Sequence, residues 1–295
     1  MPIFEEALDL YDLPMELKYL PIIESALNPV AVSRQGATGL WQFMLGAGKI
    51  YGLKNNSLID ERRDPIKSTW AAARYLKDLY AIYQDWNLVL AAYNCGPGTI
   101  NKAIRRAGGA TDYWTIYNYL PKETRGYVPA FIAANYIMTY YCEHDICPME
   151  TQLPSATDTI HIHKDLHLQQ VAEVCNLNID QLRSLNPQYK KDIIPGNSEL
   201  CVLRLPNNTV SSFIDRQDSI FAHKANEYLK KRKAVAIKDN TGIRTSSKGA
   251  VYHKIKSGDT LGGIAAKYHV SVNQLRRLNN IKGNNIRAGK SLRIR

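Results

Sequence analysis

At 295 residues the chain is longer than one ordinary domain, and its 45% hydrophobic and 22% charged residues describe a foldable sequence of two or three units, not a disordered one. No run of eighteen or more apolar residues occurs, and the opening MPIFEEALDLYDL lacks the basic start and apolar centre of a signal peptide, so these residues hold neither a membrane-spanning helix nor a secretory leader. The net charge of +11 sits late, with ten Lys and Arg against Asp259 alone in 251–295; no aromatic-interleaved or helix-turn-helix pattern accompanies it, so nucleic acid is not expected and charge shows only a basic surface attracted to an anionic polymer.

The first half reads as helical. Pro14 opens a helix on which Leu17, Leu20, Glu24 and Leu27 recur at i, i+3, i+7 and i+10, which sets a carboxylate within an apolar stripe. Periodicity alone leaves two readings of Glu24. It is a rim glutamate or one satisfied by a basic partner, or it is a desolvated carboxyl whose pKa rises until it holds a proton to donate. Asn28-Pro29 ends this helix, because the residue before proline is driven out of the α region. Asp64-Pro65 caps and launches a helix through Ala71, Tyr75 and Leu79. Trp86 to Tyr93 forms another, stopped at Gly96-Pro97-Gly98, where Pro97 opens the next. Pro121 to Tyr141 is the longest, with Tyr127, Phe131, Asn135 and Met138 on one face, and Pro129 is expected to bend or break it.

Of five cysteines, Cys95, Cys142, Cys147, Cys175 and Cys201, one is left over if the rest pair. Cys142 and Cys147 are placed to close a small loop, and Cys175 and Cys201 fall in one later module. The alternative for Cys142 to Cys147, a metal site, has no evident fourth ligand. His161, His163 and His167 also lack a completing cysteine or carboxylate and read as strand residues. No metal and no cofactor are expected.

From Asp158 the pattern changes to an internal repeat. Leu168 to Leu182 matches Leu261 to Leu275, Leu185-Asn186-Pro187 matches Leu278-Asn279-Asn280, and Ile193 to Ser198 matches Ile286 to Ser291, all at one offset. Each copy reads as strand, two short helices, strand. Between them lie an amphipathic stretch, Phe213 to Leu229, the run Lys231-Arg232-Lys233 and small polar residues from Thr241 to Gly249, the last read as linker.

Glu24-Ser25 followed by Gly39-Leu40-Trp41-Gln42-Phe43, then Ala92-Tyr93-Asn94-Cys95-Gly96, then Glu123 to Pro129 around Tyr127, resembles the ordered signatures of the lytic transglycosylases of the goose-type lysozyme superfamily, glycoside hydrolase family 23. Trp41 in place of the usual Met resembles their membrane-bound lytic murein transglycosylase D branch. Residues 250–295, with Lys256-Ser257-Gly258-Asp259-Thr260-Leu261 before their first helix, resemble a LysM domain, a βααβ module that binds N-acetylglucosamine-containing glycans. The copy at 158–206 has Asp165-Leu166-His167 instead and resembles a divergent LysM.

The resemblance implies an α+β chain: a mainly helical, lysozyme-like catalytic domain over 1–150, a LysM-like module at 158–206, a linker with a helix at 207–249 and a LysM domain at 250–295. It implies cleavage of peptidoglycan between N-acetylmuramic acid and N-acetylglucosamine, with 1,6-anhydromuramyl products and Glu24 as the single catalytic acid and base. Ser33, Gln42, Met44, Tyr93, Asn94 and Tyr127 would position the sugars, Ser25 the helix end or the carboxylate, and Gly258, Asp259, Thr260, Leu261 and Ile286 the LysM-bound glycan. The implied setting is the bacterial periplasm or cell envelope, as a monomer held at a membrane only through a lipoprotein anchor outside this chain. A lysozyme-type hydrolase remains the alternative, needing a second acid for which Asp60, Glu61 and Asp64 are nearest, as does a non-catalytic glycan-binding protein.

Overall fold

The computed structural model describes residues 1–147, 153–231, 243–245, 251–255, 259–268, 270–281, 283, 286–287 and 289–294. The helical part comprises α1 (Pro2–Leu10), a 3-10 turn (Met15–Tyr19), α2 (Leu20–Ser25), α3 (Leu45–Ile50), α4 (Pro65–Tyr83), α5 (Trp86–Cys95), α6 (Pro97–Arg106), α7 (Tyr113–Ile116) and α8 (Lys122–Thr139). The first repeat copy follows as β1 (Thr157–Ile162), β2 (Asp165–His167), α9 (Leu168–Cys175), α10 (Ile179–Leu185), β3 (Ile193–Pro195) and β4 (Cys201–Pro206). Next come α11 (Asn207–Asp215), α12 (Gln217–Ala222) and α13 (Ala225–Tyr228), then the second copy with β5 (Ile243–Thr245), β6 (Val251–Lys254), α14 (Leu261–Lys267), α15 (Val272–Asn279) and β7 (Ser291–Arg293).

By compactness the chain divides into Met1–Asp78 with Pro129–Ile237, and Leu79–Val128 with Lys238–Arg295. In the first unit, α1 buries Phe4, Ala7 and Leu8, and the Phe4 ring meets Trp41 edge-on at 5.5 Å. Trp41 is 1% exposed and its indole N–H reaches the Thr69 hydroxyl at 2.9 Å, so a residue larger than the usual Met fits without an orphaned donor. The first repeat copy is a sandwich of two helices on the antiparallel pair β1·β4, with Ile160 opposite Leu203. Its core holds Ile162, Leu168, Val171, Leu182, Leu203 and Phe213, and the same core takes in Leu58 and Ile59 from the helical part.

In the second unit, α5 starts at an Asp85 cap whose carboxylate accepts from Leu88 N–H at 2.8 Å, and it buries Leu88 to Ala92. The second copy forms the sheet β5-β6-β7 under α14 and α15, around Ile255, Leu261, Ile264, Leu275 and Leu292. Both copies close with the same side-chain clamp. Asn279 bonds the Leu275 and Arg293 carbonyls and the Arg293 N–H, as Asn186 bonds Leu182 and Arg204.

Several expectations change. The α-helix carrying Glu24 begins at Leu20, with Pro21 in its first turn, and Ala26 and Leu27 end it with φ of 50° and 60°. Leu27, outside the helix and 40% exposed, therefore leaves the stripe, although Leu17 and Leu20 are buried. The stretch from Phe213 to Leu229 is three short helices, not one, and Ile243–Thr245, within the expected linker, pairs with β6. The single repeat offset fails at the last strand: the Asn clamps set Arg204 against Arg293, so the first copy has extra residues after Ile193.

All five cysteines are free. Cys175 and Cys201 do not pair because their thiols face different neighbours, Ser212 and Tyr189, and burial raises the Cys201 thiol to about 11. Cys142 and Cys147 are both exposed and unbridged, the Cys142 thiol lying against the Tyr141 hydroxyl. No group of three or more His, Cys, Asp or Glu able to hold a metal occurs among the described residues.

Helix α8 runs unbroken through Pro129. Pro129 has no N–H for the Arg125 carbonyl four residues earlier. The buried Tyr113 hydroxyl donates to that carbonyl at 2.8 Å, and burial keeps the phenol protonated by pushing it up to about 12. Tyr113→Phe is expected to cost about 1–3 kcal/mol in urea unfolding, the penalty for an orphaned buried acceptor. A cost near zero would show that the proline needs no such partner.

Candidate functional site

Glu24 is the penultimate residue of α2 and is half-buried. The helix stops directly behind it. Ser25 Oγ lies 3.0 Å from the Pro21 carbonyl and 2.9 Å from the Leu40 carbonyl, so its proton ties the helix end to the Gly39–Phe43 signature. The two consecutive non-glycine residues at positive φ that follow, Ala26 and Leu27, are backbone strain of the kind that surrounding structure must hold in place.

The signature itself is a compact double turn. Thr38 bridges Val32 on one side and Phe43 on the other. Ser33 closes the first turn, with its hydroxyl accepting from Ala37 N–H at 3.0 Å and its N–H donating to Ala37 O at 2.9 Å. Gln42 has φ 46°, and its amide donates to Gly39 O at 2.8 Å. Met44 projects from the end of this turn, 46% exposed. Gly39 cannot be another residue: its φ is +88°, and an added Cβ would lie 1.8 Å from the Arg62 carbonyl oxygen.

Arg62 binds this turn from beneath. Its Nε and Nη2 grip Asp60 at 2.9 and 2.8 Å, and its Nη1 donates to the Gly36 and Phe43 carbonyls at 3.0 and 3.1 Å. The other acids of this segment are also engaged. Glu61, 5% exposed, accepts from Lys54 N–H at 2.7 Å and Lys67 Nζ at 2.5 Å. Asp64 caps α4 through Ile66 and Lys67 N–H at 2.9 and 3.0 Å, and burial holds its carboxyl above the usual range.

In the second unit, Tyr93 and Asn94 end α5 and Tyr127 lies on α8, 9% exposed. Asn94 Oδ1 accepts from the buried Thr124 hydroxyl at 2.9 Å, joining α5 to α8. Burial pushes the neighbouring Cys95 thiol up, away from the thiolate form.

The second repeat copy has an open groove of about 660 Å³ bordered by Asp259, Thr260, Leu261, Gly262, Val272, Arg276 and Ile286. Four of these are residues singled out in the sequence, while Gly258 lies outside the described residues. Leu261 is 2% exposed and serves mainly as core. Periodicity gave no sign of Gly262 and Arg276, nor of buried His253, whose Nε2 lies 2.7 Å from Asp259 Oδ2 and whose Nδ1 lies 2.8 Å from the Tyr268 hydroxyl.

Residues 1–116 match the Transglycosylase SLT domain, 156–222 the LysM-like domain of lytic transglycosylase MltD, and 253–295 the LysM domain. The chain thus combines a match to the Transglycosylase SLT domain with two later matches of the LysM type. Membrane-bound lytic murein transglycosylase D of Escherichia coli K12 is 30% identical over 287 residues, 96% of this chain and 60% of that protein. The soluble lytic murein transglycosylase of the same organism is 31% identical over 124 residues, 40% of this chain and 19% of that protein. Among solved structures, the 70 kDa soluble lytic transglycosylase SLT70 from Escherichia coli is 27% identical, with a TM-score of 0.42 over 48% of this chain and 24% of that one. The chain thus spans 60% of the length of its transglycosylase D relative, and the SLT match ends before Tyr127.

The sequence singled out Gln42 and Ser33 but not Arg62, because a buried ion pair leaves no periodic trace. Arg62→Met would strand the Asp60 charge and two carbonyls, and about 3–5 kcal/mol of stability should be lost in denaturant unfolding. Replacing Asp60 by Asn in the same chain should recover part of that loss. A single-variant cost below about 1 kcal/mol would show that the turn stands without the pair.

Proposed function

We propose that the chain cleaves the β-1,4 bond between N-acetylmuramic acid and N-acetylglucosamine of peptidoglycan by lytic transglycosylation, with Glu24 as the single acid and base. The observation that carries this reading is the commitment of the candidate second acids of the 60–64 segment: Asp60 to Arg62, Glu61 to Lys54 and Lys67, Asp64 to the cap of α4. A hydrolase of the usual kind needs a second carboxylate free for a nucleophile or a water, and substrate-assisted enzymes do not.

In the proposed sequence the muramyl N-acetyl oxygen attacks C1, the C1–O4 bond breaks, and the Glu24 carboxyl protonates the leaving oxygen. Glu24, now a carboxylate, takes the proton of the 6-hydroxyl while O6 attacks C1 and displaces the acetamido oxygen. The glycan ends as 1,6-anhydromuramic acid, the acid is restored and no water is consumed. Ser33, Gln42, Met44, Tyr93, Asn94 and Tyr127 are proposed to position the sugars.

We assign catalysis to the helical part, 1–150, and retention on the glycan to the module at 250–295, and place the chain in the cell envelope, where peptidoglycan lies. Among the described residues no helix is long and apolar enough to cross a membrane.

Mass spectrometry of a digest of purified peptidoglycan should show anhydromuramyl ends from the first time point. Predominantly reducing muramyl ends would overturn the mechanism in favour of hydrolysis. Glu24→Gln should fold normally and lose roughly 100- to 10,000-fold in strand cleavage. Near-normal turnover would remove Glu24 from the chemistry.

Gly262 borders the groove and has open space around an added Cβ, so Gly262→Trp sets a bulky ring at the groove with no clash at its Cβ. It should weaken retention on insoluble peptidoglycan more than it slows cleavage of short soluble strands, because the module raises local concentration and does no chemistry. Undiminished co-sedimentation with the sacculus would show that the groove is not the anchor.

A further inference from the structure

The two repeat copies share a fold and a clamp, so their grooves can be compared residue by residue. At the offset that sets Leu168 on Leu261, the groove residues Asp259, Thr260, Arg276 and Ile286 correspond to Leu166, His167, Arg183 and Ile193. In the first copy the two walls are bonded to each other. Strand β2 pairs antiparallel with β3, Leu166 opposite Ile194 and His167 opposite Ile193, and Leu168 N–H donates to Asp192 O at 2.8 Å. Leu166, Leu168, Ile193 and Ile194 are each 1% exposed or less. The His167 ring is stacked on Tyr228 of α13 at 5.1 Å, and Arg183 is held by Asp192 at 2.7 Å and Asp180 at 2.9 Å.

Helix α13 is fastened there by one carboxylate. Glu173 accepts from the Tyr228 hydroxyl at 2.5 Å and from Lys224 Nζ at 2.9 Å, with His223 Nε2 at 2.6 Å. These bonds hold the Glu173 carboxyl well below its ordinary value. A group with a depressed folded pKa stabilises fully above its unfolded value and loses the effect only as pH falls through the folded one, so the fastening persists into acid.

The same module is joined elsewhere to the segment that organises the Glu24 turn. Leu58 and Ile59, 0% and 4% exposed, enter its core, and Ile59 bridges Tyr189. Asp60 N–H donates to Gln188 O at 2.9 Å, Lys190 N–H to Leu58 O at 2.8 Å, and Lys190 Nζ to Asn56 O at 2.6 Å. Two residues further on, Arg62 holds Gly36 and Phe43.

We propose that the first LysM-like module does not bind glycan and acts instead as a positioning module for the SLT domain, with Lys190 as a positioning residue that sets the 54–62 segment and, through Arg62, the Gly36–Phe43 turn. Its turnover consequence rests on the transglycosylase reading; its binding and structural consequences do not.

The test uses the full chain, isotopically labelled, with the soluble tetramer of N-acetylglucosamine as probe. Amide shifts are expected in 259–262 and are lost in Gly262→Trp, with none in 165–195 in either chain. Saturable shifts in 165–195 would overturn the closed groove. Lys190 is half-exposed, so substituting it does not empty the core. Lys190→Met should move the Gly36 and Gly39 amide resonances and lower kcat on soluble strands roughly ten- to hundredfold with KM within about twofold, the signature of a displaced catalytic turn. Lys190→Arg should restore most of both. Cleavage is counted as total strand scission whatever the end formed, so reducing ends would count against the mechanism above and not against this proposal. Should the wild type cut nothing, the two glycine resonances alone decide. Unmoved resonances, or unchanged kcat with moved ones, would overturn the positioning role.

Discussion

The Arg62 guanidinium is the constraint on which the first unit is built. Asp60 and Arg62 are both nearly buried, and a lone charge at either place would be far more costly than the pair. The carboxylate therefore takes the guanidinium in a bidentate grip, and the donor left over is directed to the carbonyls of Gly36 and Phe43. One side chain thus fixes the acid-rich turn to the first signature loop, and the backbone N–H of its partner Asp60 ties the same turn to Gln188 of the LysM-like module. The close approach of Gly39 to the Arg62 carbonyl is the steric counterpart of this bonding.

The same accounting of polar groups explains other attachments. Pro129 deprives a helix carbonyl of its partner, and Tyr113 arrives to satisfy it. Helix α2 ends at Ser25, with Ala26 and Leu27 at positive φ behind it, and the Ser25 hydroxyl reaches the Leu40 carbonyl. Trp41 brings an indole N–H into the core and meets Thr69. In each case an irregularity that would be a cost by itself is turned into a tertiary link.

The two LysM-type modules show how far one fold can diverge in use. Their Asn186 and Asn279 clamps are the same, and the antiparallel pairing of β1 with β4 is matched by that of β6 with β7. What differs is small: where the second copy has Asp259-Thr260 beside an open groove, the first has Leu166-His167, an apolar and an aromatic residue that close onto Ile194 and Tyr228. Replacing a polar wall with apolar side chains makes burial the favourable outcome, and the groove is lost to the core.

The sequence by itself determined the helices opened at Pro65, Trp86, Pro97 and Pro121, the repeat and the ordered signatures, since these rest on local spacing, on a cap such as Asp64, and on prolines whose fixed φ acts wherever they stand, whereas α1, α3 and α7 went unread. It placed Glu24 near a helix end by Asn28-Pro29 but put the start at Pro14, because a proline tolerated at a first turn does not say which of two prolines begins the α-helix. Tertiary structure alone decided the rest. The continuity of α8 depended on a tyrosine sixteen residues away, the roles of Asp60, Glu61 and Asp64 on which cations and N–H groups reached them, and the fate of the first module on Leu58, Ile59 and Tyr228 arriving from outside it. Bonds between residues far apart in the chain have no period, and only the folded chain brings their two ends together.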